Sequence, residues 1–423
     1  MLACRNGYGD SLVLSGRVLD PGERIDETLT ITVEGGLITR LEPGGDGSRT
    51  IAPAFVDPHV HLRTPGREDE ETIASGTGAA AAGGYCAIQA IPNTDPVVDS
   101  AAVLRGLLAR ARDEAVVPTG FMAAISKGQH GEELAELGEL ADAGACGFTD
   151  DGRPLASSAL LRRALRYGAV HGRTLALHCE DPTLSRDGHL HEGRISAELG
   201  VAGWPSLAES VMVARDVALA GLEERPIHVM HVSARESVDA IRRGREDGVP
   251  VTAEVTPHHL VLTDEAVRTL DPNRKMNPPL RSADDRAALV EGLRDGTIAC
   301  VATDHAPHAR HEKEVPFEAA PFGVTGLETA FGVLYTQLVE PGLLPLETLL
   351  ERMSAGPARA YCLEPPRIAV GAKANLVLLD TEAAWRVDEK GFRSRSANSW
   401  LLGQTLRGRP KLTVAAGKVA FEA

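Results

Sequence analysis

Lysine is scarce in this 423-residue chain: seven lysines stand beside 37 arginines. With abundant alanine and glycine and only 4% aromatics, the skew reads as a codon-composition effect. Positive charge is short overall, since the formal net charge is -15. That balance argues against a general nucleic-acid binder or a protein that docks on anionic membranes. Paired cysteines are missing as well: Cys4, Cys86, Cys146, Cys179, Cys300 and Cys362 stand singly, with no C-x-x-C. A thiolate zinc site and a dithiol redox motif are therefore not indicated. Cys86, Cys146 and Cys300 sit in apolar runs and read as small buried hydrophobes. Cys179, beside His178, keeps a modulating role open. No apolar run approaches the length of a membrane span, because Gly78–Ile91 is broken by glycines and a glutamine. Met1–Cys4 lacks the charged and apolar regions of a lipoprotein signal, so a soluble, cytoplasmic protein is expected.

What is present is an ordinary globular balance, 43% hydrophobic and 24% charged. The first fifty residues read as strands and turns. Leu29, Ile31 and Val33 alternate with Thr28, Thr30 and Thr32, the period of a half-buried strand, and Gly35-Gly36 signals a hairpin. The last sixty have the same texture (ANLVLLD, KLTVAAGKVAFEA). Between them eight apolar runs recur, each followed by a helical pattern: FVDPHVHL, CAIQAIPN, TGFMAAIS, ACGFTDD, LALHCED, IHVMHVS, VTAEVTPHH and IACVATDHAPH. This is the pattern of a parallel (β/α)8 barrel with two insertions, after the fifth and seventh runs. Capping boxes are expected at Ser206–Glu209 and Ser233–Glu236, and Ser282 opens another helix that stops near Gly296. The expected class is α/β: a TIM barrel over 52–360, with 1–51 and 361–423 building one small β-sandwich domain from both termini.

Polar residues gather at the C-terminal ends of the runs, where barrel enzymes place their chemistry. His59 and His61, two apart on one strand, project to the same side. Asp151, His178, His231 and Asp304 end the fourth, fifth, sixth and eighth runs. Four imidazoles and two carboxylates suit zinc, with iron or manganese as other occupants. Any one strand-end histidine or aspartate is usually a loop or surface residue; the force lies in the set. His189-x-His191, in a polar glycine-containing stretch, reads as loop. His258 is a neighbour of the ligands, His305 and His311 are neighbours or solvent residues, and His130, His171 and His228 are surface or packing histidines.

FVDPHVHLRTPG, AIPNTDP, GFTDDG, LALHCED, IHVMHVSA, MNPPLR and ATDHAPH together resemble the cyclic-amide branch of the amidohydrolase superfamily. More specifically, they resemble the bacterial type I dihydroorotase family. The likeness runs over nearly the whole chain and is strongest from residue 52 to about 330. It implies that His59, His61 and Asp304 hold one zinc ion, that His178 and His231 hold a second, and that Asp151 bridges them. Asp150 is the rival for that bridge, and the same six residues could hold one ion or two. Many relatives bridge their metals with a carboxylated lysine at this strand end; no lysine lies between Lys127 and Lys275 here.

The implied enzyme is a hydrolase of cyclic amides, in the third step of pyrimidine synthesis. It reversibly closes N-carbamoyl-L-aspartate to L-dihydroorotate, with a metal-bound hydroxide as nucleophile and Asp304 as general acid and base. The substrate is anionic, so local cations must reverse the field of an acidic protein. Arg63 can make a bidentate contact with its carboxylate, and Asn93 and Asn277 can add amide hydrogen bonds. The resemblance adds His308 and the backbone at Phe322 and Gly323 as substrate contacts; the polar stretch 305–321, with little periodicity, reads as a lid over the barrel mouth. A homodimer is expected, and an association with aspartate transcarbamoylase is left open. The competing readings are an allantoinase or hydantoinase, which the missing lysine disfavours, and a silent dihydroorotase-like partner of the transcarbamoylase.

Overall fold

The computed structural model describes residues 1–5, 9–168 and 172–423. Strands β1 (Leu12–Asp20), β2 (Ile25–Glu34), β3 (Leu37–Pro43) and β4 (Thr50–Pro53) open the chain. The turn between β2 and β3 is Gly35-Gly36, with φ of 58° and 82°. Positive φ at both central residues is what a two-residue turn of matching twist demands, and glycine adopts it without a Cβ clash.

The barrel strands follow: β5 (Phe55–Val60), β6 (Tyr85–Ala90), β7 (Thr119–Phe121), β8 (Gly147–Thr149) and β9 (Thr174–Leu177). After the insertion strands β10 (Leu190–His191) and β11 (Gly203–Trp204) come β12 (Ile227–Val229), β13 (Val251–Val255) and β14 (Cys300–Val301). Every neighbouring pair around the ring is parallel: β5·β6·β7, then β8·β9·β12·β13·β14. Parallel bridges Ala123–Phe148 and Val60–His305 join the two arcs and close the ring. All eight apolar runs of the sequence thus become barrel strands. The long gap after β9 holds β10, β11 and a helix over Arg194–Leu199, so the His189–His191 stretch is partly strand rather than loop.

Strands β15 (Leu376–Arg386), β16 (Thr405–Ala415) and β17 (Lys418–Glu422) return to the first four, in the order β17-β16-β15-β4-β1-β2-β3. Both termini therefore share one continuous, mostly antiparallel seven-stranded sheet. Alternation divides its side chains between two cores. Ile51, Leu376, Leu378 and Val414 join Val18, Leu29, Ile31 and Val33 in a small core of their own. Ala52, Val377, Leu379 and Ala415 face the main core with the barrel. No helix among the described residues is long and apolar enough to cross a membrane.

Neither expected capping box forms, whereas the expected helix start at Ser282 carries one. Ser282 accepts from Asp285 N, and Asp285 returns the bond to Ser282 N. Ser206 makes no side-chain cap, because the Glu209 carboxylate reaches instead to the backbone N–H groups of Ser233 and Ala234. Ser233 then donates to Glu209 and lies just before the helix over Arg235–Glu246 instead of capping it. A tertiary demand for a buried carboxylate overrides the local pattern.

Candidate active site

Five strand ends deliver the six metal-type residues to one mouth of the barrel. His59 lies within β5 and His61 just beyond it; Asp151, His178, His231 and Asp304 follow β8, β9, β12 and β14. All six are buried. His231 and Asp304 adopt positive φ (31° and 48°), as does Arg63 (55°). This sparsely populated backbone turns a side chain away from the strand direction, and such strain is typical of functional sites.

The Asp151 carboxylate divides the histidines into two pairs. Its Oδ2 lies 3.7 Å from His59 Nε2 and 3.6 Å from His61 Nε2. Its Oδ1 lies 3.3 Å from both His178 Nδ1 and His231 Nε2, which are 2.9 Å apart. Asp304 Oδ1 completes the first group, 3.0 Å from His61 Nε2 and 3.3 Å from His59 Nε2. Ligand atoms set about 2.0–2.1 Å from a tetrahedral ion stand about 3.3–3.4 Å apart, so these separations fit a metal in each group. Asp150 points elsewhere: its carboxylate accepts from Ile125 N, Ser126 N and the Ser126 hydroxyl.

Buried partners aim the rings. His59 Nδ1 lies 2.7 Å from Glu254 Oε1, and His61 Nδ1 lies 3.0 Å from Asn93 Oδ1. Each Nδ1–H then donates outward, and the Nε2 lone pair turns to the centre, as metal-binding imidazoles require. His59 Nε2 is buried and makes no hydrogen bond among the described residues. His178 uses the other tautomer, with Nε2 3.1 Å from Glu180 Oε2. The second oxygen of Glu254 meets His228 Nε2 at 3.0 Å. Burial would neutralise Asp151, but the His59 field and hydrogen bonds from His178 and His231 hold it well below the usual carboxylate range. Burial likewise opposes charge on Glu254, and the fields of His59 and His228 bring it down to about 2.

The expected substrate contacts gather around this centre. Asn93 touches His61, and Asn277 Nδ2 donates to Glu180 Oε2 at 3.1 Å. Arg63 Nε lies 3.0 Å from Glu70 Oε2 and donates to Pro307 O at 3.1 Å, while Nη2 lies 3.3 Å from His308 Nε2. Glu70 and Pro307 thus occupy the Nε side of the guanidinium. His308 Nε2 reaches Phe322 O at 2.8 Å, and Gly323 N donates to Lys275 O at 2.8 Å. Burial drives the His308 ring down to about 2, so it stays neutral. The 305–321 stretch, read as a lid, includes a short helix over Arg310–Lys313.

Sequence reasoning missed Glu254, His228, Glu180 and Glu70. Glu254 carried a signal, being a lone acid in the apolar strand VTAEV, where a buried charge is kept only with a partner. His228 is that partner rather than a packing histidine. His305 is buried against Glu71 and His311 is exposed; His258 is buried beside His259. Cys179 is buried and turns its Sγ to Asp216. His171 lies outside the described residues.

Comparison with known proteins decides the family. A model described as dihydro-orotase-like matches residues 48–237. A dihydroorotase of Anaeromyxobacter dehalogenans is 46% identical over 419 residues, 96% of each chain. That of Caldanaerobacter subterraneus is 41% identical over 420 residues, 97% of each. The chain belongs to the dihydroorotase family. Its fold is also that of the L-hydantoinase from Arthrobacter aurescens (TM-score 0.85, 25% identity, 96% and 95% covered). This dihydroorotase-family chain is accordingly a hydrolase of cyclic amides, and its clustered histidines and aspartates have the make-up of a metal site.

Proposed function

We propose that the chain is a zinc-dependent dihydroorotase that reversibly closes N-carbamoyl-L-aspartate to L-dihydroorotate, releasing water. The observation that carries the metal assignment is the Asp151 carboxylate, with one oxygen toward each histidine pair. His59, His61 and Asp304 would hold one ion and His178 and His231 the other, with Asp151 shared. When bound, the metal supplies Lewis acidity, activating water and polarising the ring carbonyl. Asp304 is buried, and the fields of His59 and His61 keep it ionised against that burial. Its Oδ1 faces the two imidazoles, leaving Oδ2 to take a proton from the attacking water and pass it to the leaving ring nitrogen.

Arg63 binds the substrate carboxylate through its Nη side, and Asn93 and Asn277 offer amide groups. Asn93 Oδ1 is committed to His61, so its Nδ2 is the group that donates to the substrate. Neutral His308, beside Arg63, and the backbone at Phe322-Gly323 add further substrate contacts. A hydantoinase-type lysine bridge has no residue to form it, since Asp151 occupies that strand end. Metal analysis of the purified protein, with hydrolysis assays on dihydroorotate, allantoin and hydantoin, tests this reading. Zinc and dihydroorotate turnover are expected; turnover of allantoin with none of dihydroorotate would sink it. The same reading makes the enzyme a cytoplasmic homodimer and leaves an association with aspartate transcarbamoylase open. Light scattering with and without added transcarbamoylase checks this, and an unchanged monomer mass in both would remove it.

A further inference from the structure

Two of the seven lysines are buried beside the expected substrate contacts. Lys275 is 2% exposed, two residues before Asn277; Lys313 is 8% exposed, five residues after His308. Lys275 Nζ donates to the carbonyls of Glu318 and Ala320, both at 2.8 Å. Lys313 Nζ donates to the carbonyls of Pro321 at 2.7 Å and Pro272 at 3.1 Å. The segment after β13 thus holds the segment after β14 through Lys275, and is held by it in return through Lys313. Gly323 N closes the exchange on Lys275 O.

Lys275 Nζ also lies 4.6 Å from the Phe322 ring centroid, and Trp204 packs on that ring at 5.8 Å. Burial costs both ammonium groups, lowering Lys275 to about 8 and Lys313 to about 7. A compact ammonium can bridge two carbonyls at such close quarters; the wide planar fork of arginine cannot replace it without moving them.

We propose that Lys275 and Lys313 are positioning residues, a reciprocal clasp that sets Asn277, His308 and Phe322-Gly323 in register for the substrate. The proposal rests on the reading of those residues as substrate contacts. A clasp made of two mutually dependent halves has a kinetic signature. Losing either half releases the same two segments, so losing both adds little. Among the described residues neither lysine hydrogen-bonds to the six candidate ligands, so the loss of either is expected to leave metal content unchanged.

The experiment measures KM, kcat and metal content for Lys275→Met, Lys313→Met and the double variant, with Asn277→Ala alongside. Each single lysine variant is expected to raise KM about tenfold with kcat within about threefold, the mark of lost binding rather than lost chemistry. The double variant should match the worse single, with full metal content throughout. Wild-type KM in both singles, multiplied effects in the double, or loss of metal overturns the clasp. A raised KM in Asn277→Ala with wild-type lysine variants overturns the clasp and leaves the substrate reading standing. Wild-type KM in Asn277→Ala overturns that reading and the clasp with it. If the methionine variants do not fold, Lys275→Arg and Lys313→Arg serve instead. They keep the charge but not the fit, so the same KM rise is expected and wild-type values in both refute the proposal.

Discussion

Replacing Glu254 with glutamine removes one buried negative charge and preserves the shape of the side chain. Glu254 Oε1 meets His59 Nδ1 at 2.7 Å and Oε2 meets His228 Nε2 at 3.0 Å. A glutamine oxygen can keep the first bond. Its amide can donate to His228 Nε2 if that ring carries its proton on Nδ1, which lies 2.8 Å from the Thr252 hydroxyl, an acceptor. Both hydrogen bonds survive, so the loss is the charge assistance alone. Charged hydrogen bonds contribute about 1.5–3 kcal/mol and neutral ones about 0.5–1.5, a difference of roughly 1–2 kcal/mol. At about 1.4 kcal/mol per decade, metal at His59 should bind about 5–30-fold more weakly. That range overlaps the ~10–100-fold typical of the groups that orient metal-bound histidines. Competition with a chromophoric chelator, on metal-free protein shown to be folded by circular dichroism, reads the change directly. Wild-type affinity in a folded Glu254→Gln protein would refute the argument that this carboxylate tunes His59. Loss of the fold would show that its work is structural instead.

Asp151→Ala should cost one or both metal ions by elemental analysis, and unchanged metal content would point to Asp150 or a single-metal site. Asp304→Asn keeps an oxygen for the metal but cannot take a proton, so kcat for dihydroorotate hydrolysis should fall about 10²–10⁴-fold; a wild-type kcat would reduce Asp304 to a ligand. Glu328 offers a test of pH linkage away from the metal. Burial raises its carboxyl from 4.5 to about 7, despite backbone N–H bonds from Ser394 and Arg393. A raised folded-state pKa gives stability that is full below about 4.5 and lost as pH rises through about 7, up to roughly 3 kcal/mol. The melting temperature of Glu328→Gln should therefore gain on the wild type between pH 5 and pH 8, and a constant difference would contradict the shift.

Much of the fold was legible because a parallel barrel writes each strand as a short apolar run with its chemistry at one end. The hairpin at Gly35-Gly36 and the helix start at Ser282 were equally local, each settled by a few consecutive residues. The boxes at Ser206 and Ser233 failed for the opposite reason. Glu209 had another partner beyond the next strand, the Ser233–Ala234 backbone, and no short sequence window contains both. Glu254 and His228 are 26 residues apart on neighbouring strands, and only strand register brings them face to face with His59.

By itself, then, the sequence determined the architecture, the family, and six candidate metal ligands, because alternation and strand ends are local properties. Tertiary structure decided how they meet. Asp150 and Asp151 are adjacent and chemically identical, and the path of the chain beyond β8 sends one to Ser126 and the other among four imidazoles. The scarcity of lysine took its meaning the same way. As composition it excluded one kind of metal bridge; folded, it left Lys275 and Lys313 buried between two loops that are distant in sequence and joined only in space.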